Sequence, residues 1–286
     1  MGNYYIYLLG QWLVRILPAK AAYAFAVFIS DIHYTFSKID RAAVRANLTA
    51  ITGRNAPDAM VREVFRNFGR YLVDFFTLTK KLTPAYIRDH VECIHMERLD
   101  ETLKKGKGGI IISAHIGNWE MASSVISAAG HPLSIIALSH KDPRVNAFFN
   151  RQREFFGTTV FPTTTAVRRC LEQLRKNRLI ALLVDRDFGS SGVSMDFLGR
   201  KAIIPKGAAL FALKTGAPLV PVALVRKDNG DFQFVFYGSI EPPAVPEDGI
   251  TDEILTAFIG RYIRVIEGMV RQYPDQWLMF REFWHS

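Results

Sequence analysis

The chain has 286 residues, and 49% of them are hydrophobic, with 21 Phe, 10 Tyr and 4 Trp, which excludes a disordered or collagen-like chain and fits one large domain or two small ones. Only two cysteines are present, Cys93 and Cys170, too few for a disulfide framework or a thiolate metal cage, and this fits a reducing compartment. The net charge is +9 and uneven: residues 1–180 carry 25 basic and 14 acidic side chains, residues 181–286 carry 11 and 13, so the basic, aromatic-rich part points to a membrane surface, a nucleic acid or an acidic protein.

In chain order, residues 1–18 are apolar, with Arg15 as the first charged side chain. That stretch is too short for the roughly 20 residues needed to span a bilayer. It also lacks the basic n-region of a signal peptide. Residues 3–37 read as two helices. Tyr4, Tyr5, Tyr7 and Trp12 are side chains that favour the headgroup boundary, so the first helix is expected to lie in or dip into one leaflet. Helical periodicity continues from Asp40 to about Lys81 through Val44, Leu48, Ile51, Phe65, Phe68, Leu72, Phe75 and Phe76.

At Gly106 the texture changes. Gly109–Ser113 is a short β-branched run bounded by glycine, as a buried strand requires. Further strands are expected at 133–138, 158–161, 179–184, 219–225 and 232–237, with helices at 119–129, 143–156, 165–177, 206–215 and 251–272. Strands alternating with helices imply an α/β fold, a mixed, mostly parallel sheet flanked by helices. Asp228-Asn229-Gly230 adds an antiparallel hairpin. The division expected is 1–37 as membrane-associating helices and 38–286 as one α/β domain that includes a helical cap, 38–105.

Strand 109–113 runs into Ala114-His115-Ile116-Gly117-Asn118-Trp119-Glu120, a polar cluster where α/β proteins place their sites. A turn at Gly117 could fold the Glu120 carboxylate back towards His115. Such a pair suits acyl transfer: neutral histidine takes a proton from an alcohol, and the carboxylate fixes its tautomer and stabilises the imidazolium. Without a Gly-x-Ser-x-Gly elbow, the nucleophile would be the substrate's own hydroxyl. A buried structural histidine beside a helix-capping Asn118 is the plainer alternative. His33, His90, His95 and His131 read as surface or partly buried residues. His140 could line the cleft. The 232, 234, 236 phenylalanine alternation reads as a core strand face.

The segment SAHIGNWE, 113–120, resembles the first motif of the lysophospholipid acyltransferase superfamily, in the His-x4-Glu variant of the bacterial lipid A late acyltransferases. Other blocks agree in order: Arg41 with Asn47-Leu48; Arg153 with Gly157; Asp185-Arg186-Asp187-Phe188-Gly189 with Asp196-Phe197-Leu198-Gly199; Gly207–Ala212 with Thr215–Pro221; and Tyr273-Pro274 with Trp277 and Arg281. Arg186 and Leu198 depart from the usual pattern, which has Gln or His and a second Phe there.

The resemblance implies a glycerolipid acyltransferase-like fold and transfer of an acyl group from acyl carrier protein or acyl-CoA to a hydroxyl of a membrane lipid, most simply a lipid A precursor or related glycolipid. By it His115 is the base and Glu120 its partner. Arg153, Asp185, Asn118, Gly117, Arg186 and Asp187 would form the substrate cleft, with no metal and no cofactor. Backbone N–H groups near Gly117, or a nearby cation, would meet the oxyanion. Residence on the cytoplasmic face of the inner membrane is expected. The remaining alternatives are a glycerophospholipid or mannoside-glycolipid acyltransferase, and a non-catalytic lipid-binding protein. Nucleic-acid binding is not expected, because no helix carries a basic stripe.

Overall fold

The computed structural model describes residues 2–186 and 192–284. Four helices come first: α1 (Gly2–Ile16), α2 (Ala19–Phe36), α3 (Lys38–Thr52) and α4 (Asp58–Lys81). Pro18, which has no N–H to donate, separates the first two. The Ser37 hydroxyl accepts the Asp40 N–H and caps α3, which stops at Gly53 with φ of 70°. Helices α2 and α4 touch where Gly69 faces Ala26 and Ser30, so closely that a Cβ there would lie 2.9 Å from the Ala26 carbonyl. Helix α1 packs on α4 through Val14, Phe75 and Phe76.

The remainder alternates: α5 (Pro84–His90), β1 (Val91–Ile94), α6 (Arg98–Leu103), β2 (Gly109–Ser113), α7 (Trp119–Ala128), β3 (Leu133–Ala137), α8 (Pro143–Glu154), β4 (Thr159–Pro162), α9 (Ala166–Arg175) and β5 (Leu179–Leu183). A hairpin follows, β6 (Val193–Phe197) and β7 (Arg200–Ile204), then α10 (Gly207–Thr215), β8 (Leu219–Arg226), β9 (Phe232–Phe236) and α11 (Asp252–Gln272). Seven strands form one sheet in the order β1-β9-β8-β2-β5-β3-β4. Every neighbouring pair is parallel except β8 and β9, which form the hairpin that the Asp-Asn-Gly turn requires. This is an α/β fold with a mostly parallel sheet flanked by helices.

Strand β2 lies at the centre and is buried throughout. Its alternate side chains enter separate cores. Ile110 and Ile112 pack with Phe211, Phe258 and Ile266, whereas Ile111 packs with Met121, Val125 and Phe234. Phe232, Phe234 and Phe236 are all buried and form a core face.

Two strand features escape the sequence reading. Val91–Ile94, inside the stretch expected to be a helical cap, is an edge strand parallel to β9. It is only four residues long and half exposed, too short to show a period. The β6–β7 hairpin turns at Leu198 and Gly199, both with positive φ (54° and 82°). Leucine is a poor residue for that conformation, so the usual turn signal is missing. Burial of Leu198 and a hydrogen bond from its N–H to Glu267 hold it there.

Candidate active site

Strands β2 and β5 are adjacent, parallel and in register, with Ser113 opposite Leu183. The Val184 N–H donates to the Ser113 carbonyl and continues the pairing by one step (2.9 Å). Two residues past the paired ends come His115 and Asp185, which therefore arrive side by side at the carboxyl edge of the sheet. Asp185 is fully buried. One carboxylate oxygen lies 2.8 Å from His115 Nδ1, and the other accepts the His115 backbone N–H at 2.8 Å. That second oxygen also accepts the indole N–H of Trp277 at 2.9 Å.

Burial works against the charge on Asp185, but the His115 ring, the His115 backbone N–H and the Trp277 indole outweigh it and hold the carboxyl below its usual range. An ionised carboxylate can only accept, so the neutral ring carries its proton on Nδ1. Nε2 is left as the basic nitrogen. The imidazole is 13% exposed, so the ring is not sealed from solvent.

Glu120 is elsewhere. Its carboxylate receives Arg153 of α8, Nε at 3.1 and 3.0 Å and Nη2 at 2.6 Å. Both side chains are largely buried, Glu120 at 5% and Arg153 at 14% exposure. Burial opposes the Arg153 charge, but Glu120 more than compensates and raises its pKa. The expectation that the Gly117 turn folds Glu120 back onto the imidazole gives way to a different arrangement. Successive residues on a helix diverge by about 100°. Trp119, the first residue of α7, takes the place beside the histidine, with its ring edge-on at 5.0 Å and stacked on Tyr71 at 4.5 Å. Glu120, the next residue, then faces α8.

The loop 114–118 is held on all sides. The Leu278 N–H donates to the His115 carbonyl (2.8 Å), and Ile116 pairs with Trp277 in an antiparallel bridge. Gly117 has φ of 58°, and a Cβ there would lie 2.0 Å from the Leu224 carbonyl oxygen, so no side chain fits. Asn118 caps α7 by accepting the Met121 N–H (2.9 Å). The amides expected to meet an oxyanion are already committed: Gly117 N–H donates to Gln276 O (2.9 Å) and Asn118 N–H to Leu224 O (2.8 Å). One acceptor belongs to the neighbouring strand β8 and the other to the short turn 274–276, so the loop is pinned from two sides.

Arg186 follows Asp185 and places its Nε 3.3 Å from the Met279 sulfur. Burial pulls its pKa down; Asp185 opposes this, and nearby Arg281 adds to it. Asp187 falls outside the described residues. His140 stacks on Phe149 (4.8 Å), whose ring also has the Arg153 guanidinium 5.7 Å from its centre. Burial, then Arg153, lowers its pKa. His33, His90 and His95 are exposed beside Asp40, Asp231 and Glu97. Cys170 is buried, which pushes its thiol up to about 12. Among the described residues no cluster of three or more His, Cys, Asp or Glu side chains forms a candidate metal site.

Of the residues singled out by sequence, the structure joins His115 to Asp185 and Glu120 to Arg153 as two separate pairs. Trp277, Trp119 and Tyr71 complete the surroundings and were not read as site residues. Their signal was present in part: Trp277 lies within one of the blocks that carry the family resemblance.

Comparison with known proteins agrees in kind. Residues 1–286 match the family described as bacterial lipid A biosynthesis acyltransferase. The chain is 27% identical over 285 residues to the phosphatidylinositol mannoside acyltransferase of Mycolicibacterium smegmatis, covering 97% of this chain and 90% of the relative. A protein of the same description from Mycobacterium tuberculosis (strain CDC 1551 / Oshkosh) is 26% identical over 286 residues, covering 97% and 87%. The lipid A biosynthesis acyltransferase of Haemophilus influenzae is 24% identical over 139 residues, 48% of this chain and 43% of that one.

Proposed function

The chain belongs to the bacterial lipid A biosynthesis acyltransferase family and is an acyltransferase; from that premise we propose that it moves a fatty acyl group from a thioester, carried by acyl carrier protein or CoA, to a sugar hydroxyl of a membrane glycolipid. The observation that carries the mechanism is the bond between buried Asp185 and His115 Nδ1. Nε2 takes the proton of the acceptor hydroxyl as its oxygen attacks the thioester carbonyl. Asp185 stabilises the imidazolium that forms. The tetrahedral intermediate collapses by breaking the C–S bond, and the departing thiolate receives the proton back from Nε2.

With the Gly117 and Asn118 amides engaged, stabilisation of the oxyanion falls to a cation. We assign that role to Arg153, a largely buried guanidinium that the start of α7 holds through Glu120. Glu120 occupies its Nε and Nη2 side, which leaves Nη1 for a substrate oxygen. All three relatives named above are described by a glycolipid, phosphatidylinositol mannoside or lipid A, which favours a glycolipid acceptor over a glycerophospholipid.

Lipid transferases of this family work on membrane-resident molecules. Among the described residues no helix is long and apolar enough to cross a membrane. Instead, α1 leaves Tyr5, Leu9, Trp12 and Ile16 uncovered, and α2 leaves Phe25, Phe28, Ile32 and Phe36 uncovered, each set at helical spacing. The opposite faces pack on α4. We assign these two stripes to the lipid surface of the cytoplasmic leaflet, with the basic residues of the N-terminal part drawn to anionic headgroups.

The deciding experiment is mass spectrometry of lipids from a deletion strain, paired with purified protein given acyl-CoA or acyl carrier protein. A glycolipid class that lacks one acyl group in the strain and gains it in vitro names acceptor and chain length together. Loss confined to glycerophospholipids would overturn the glycolipid reading, and no transfer from either thioester to any lipid would revive a non-catalytic role.

A further inference from the structure

A second polar network lies behind the catalytic loop, and no step of the reaction uses it. Its centre is Asp74 of α4, at 1% exposure. This carboxylate accepts the Tyr23 hydroxyl of α2 (2.5 Å), Lys81 Nζ (3.1 Å), the Arg226 guanidinium and, from the loop, Asn118 Nδ2 (3.4 Å). Burial pulls the Lys81 pKa down, yet Asp74 and Tyr23 beside it raise it above the ordinary value. Two partly buried cations thus share one buried carboxylate. A buried ionic cluster of this kind contributes little net stability over an apolar replacement of the same volume, so its position bears more on its role than its energy does.

The contacts close into a ring. The Gln276 side chain accepts the Arg226 N–H (2.9 Å) and donates to the Arg226 carbonyl (2.8 Å). The Gln276 carbonyl accepts the Gly117 N–H. Gly117 leads to Asn118, Asn118 to Asp74, and Asp74 to Arg226. The ring surrounds a cavity of about 10 Å³, the size of a single water, that Tyr71 and Leu278 also line. Both halves of the Asn118 amide are thereby committed, oxygen to the first turn of α7 and nitrogen to Asp74. Asn118 sets where α7 begins, and α7 begins with Trp119, the neighbour of His115, and Glu120, the partner of Arg153.

We propose that Asp74 is a positioning residue for acyl transfer: through Asn118 and Arg226 it fixes the backbone turn from which His115 and the start of α7 are presented to substrate. The inference rests on the reading of His115 as the general base. Asp74 touches no substrate. Its removal should change how often the site is correctly assembled, rather than how tightly the thioester binds.

The test uses full-length protein and a palmitoyl-CoA turnover assay. Asp74→Asn keeps the shape and removes the charge. It should lower kcat about tenfold or more with KM within about twofold, since displacement by an ångström far from the reacting atoms costs up to about a hundredfold. Arg226→Gln should do the same, and the double variant should be no slower than the slower single one, because both break one ring. Hydrogen exchange at the Gly117 and Asn118 amides should quicken in each. An Asp74→Asn protein with wild-type kcat, or with its loss confined to KM, or slowed without any change in those amides, would overturn the proposal. If Asp74→Asn does not fold, Asn118→Ser keeps a helix cap but drops the link. Slower turnover with an unchanged KM and Tm would then support the inference, and unchanged turnover would sink it. If the wild-type protein transfers no acyl group, the acyltransfer reading fails. The exchange measurement still reports whether Asp74 holds the loop.

Discussion

Asp185 contacts His115 twice, through ring Nδ1 and backbone N, each at 2.8 Å. The two contacts have different consequences. The backbone bond fixes where the histidine sits, and the ring bond fixes which nitrogen is basic. A third bond, from the Trp277 indole, adds another donor to the carboxylate and favours its ionised, accepting form.

Loss of that grip should be felt in chemistry before it is felt in binding. Asp185→Asn can present an amide N–H to the ring and favour the wrong tautomer. We expect kcat for thioester turnover to fall by roughly 10²- to 10⁴-fold with little change in KM. His115→Ala should abolish transfer while circular dichroism and Tm show an intact fold. Wild-type-like turnover in His115→Ala would remove the mechanism altogether.

Glu120→Gln should behave differently, because its partner is a guanidinium. Removing one member of a buried ion pair costs about 3–5 kcal/mol, so the midpoint of urea unfolding should drop clearly. Turnover should fall in step through a displaced Arg153, mainly in kcat, because an oxyanion contact is made only in the transition state. A Glu120→Gln protein of full stability with a collapsed kcat would instead place Glu120 on the imidazole.

The pH dependence of stability follows from the depressed pKa of Asp185. A carboxyl whose folded pKa lies below its unfolded value, near 3.9, adds stability above that value and loses it as pH falls towards the folded pKa. The stability gap between wild type and Asp185→Asn should therefore be full at neutral pH and shrink below about pH 4. Urea titrations at a series of pH values would show it; a gap independent of pH would mean the carboxylate is not preferentially ionised in the folded state.

Gly117 tolerates no side chain. Gly117→Ala would place a methyl 2.0 Å from the Leu224 oxygen at a positive φ, so the loop must shift away from β8. We expect activity to be lost together with about 1–3 kcal/mol of stability, measured by turnover and thermal unfolding on the same sample.

Charges placed on the uncovered stripes should uncouple lipid from chemistry. Trp12 and Phe28 are 57% and 60% exposed, so Trp12→Glu and Phe28→Glu should leave Tm unchanged. Each side chain is worth about 1.5–3 kcal/mol when fully buried. Co-sedimentation with anionic vesicles should weaken roughly tenfold or more per substitution, while turnover of a water-soluble acceptor persists.

The strands, the long helices and the position of His115 were legible because each depends on a local pattern: β-branched runs, 3.6-residue periods, a polar cluster after a buried strand. The pairing of His115 with Asp185 depends on strand order. Strand β5 sits beside β2 although β3 and β4 intervene in the chain, and no single sequence states that adjacency. Given it, equal offsets of two residues from Ser113 and Leu183 would have predicted the contact. Glu120 was placed beside His115 by the Gly117 turn and by the His-x4-Glu motif, neither of which states which way the first turn of α7 points. Val91–Ile94 and the Leu198 turn were hidden because tertiary contacts, rather than local preference, hold them.

The segment 276–279 supplies the Gln276 carbonyl to Gly117, the Trp277 indole to Asp185 and the Leu278 amide to His115. One short segment far along the chain therefore grips the loop after β2 and its aspartate partner at three points at once. Cutting the chain before residue 276 would release the Gly117 amide, the Asp185 carboxylate and the His115 carbonyl together, leaving the sheet in place and the histidine without its fastening.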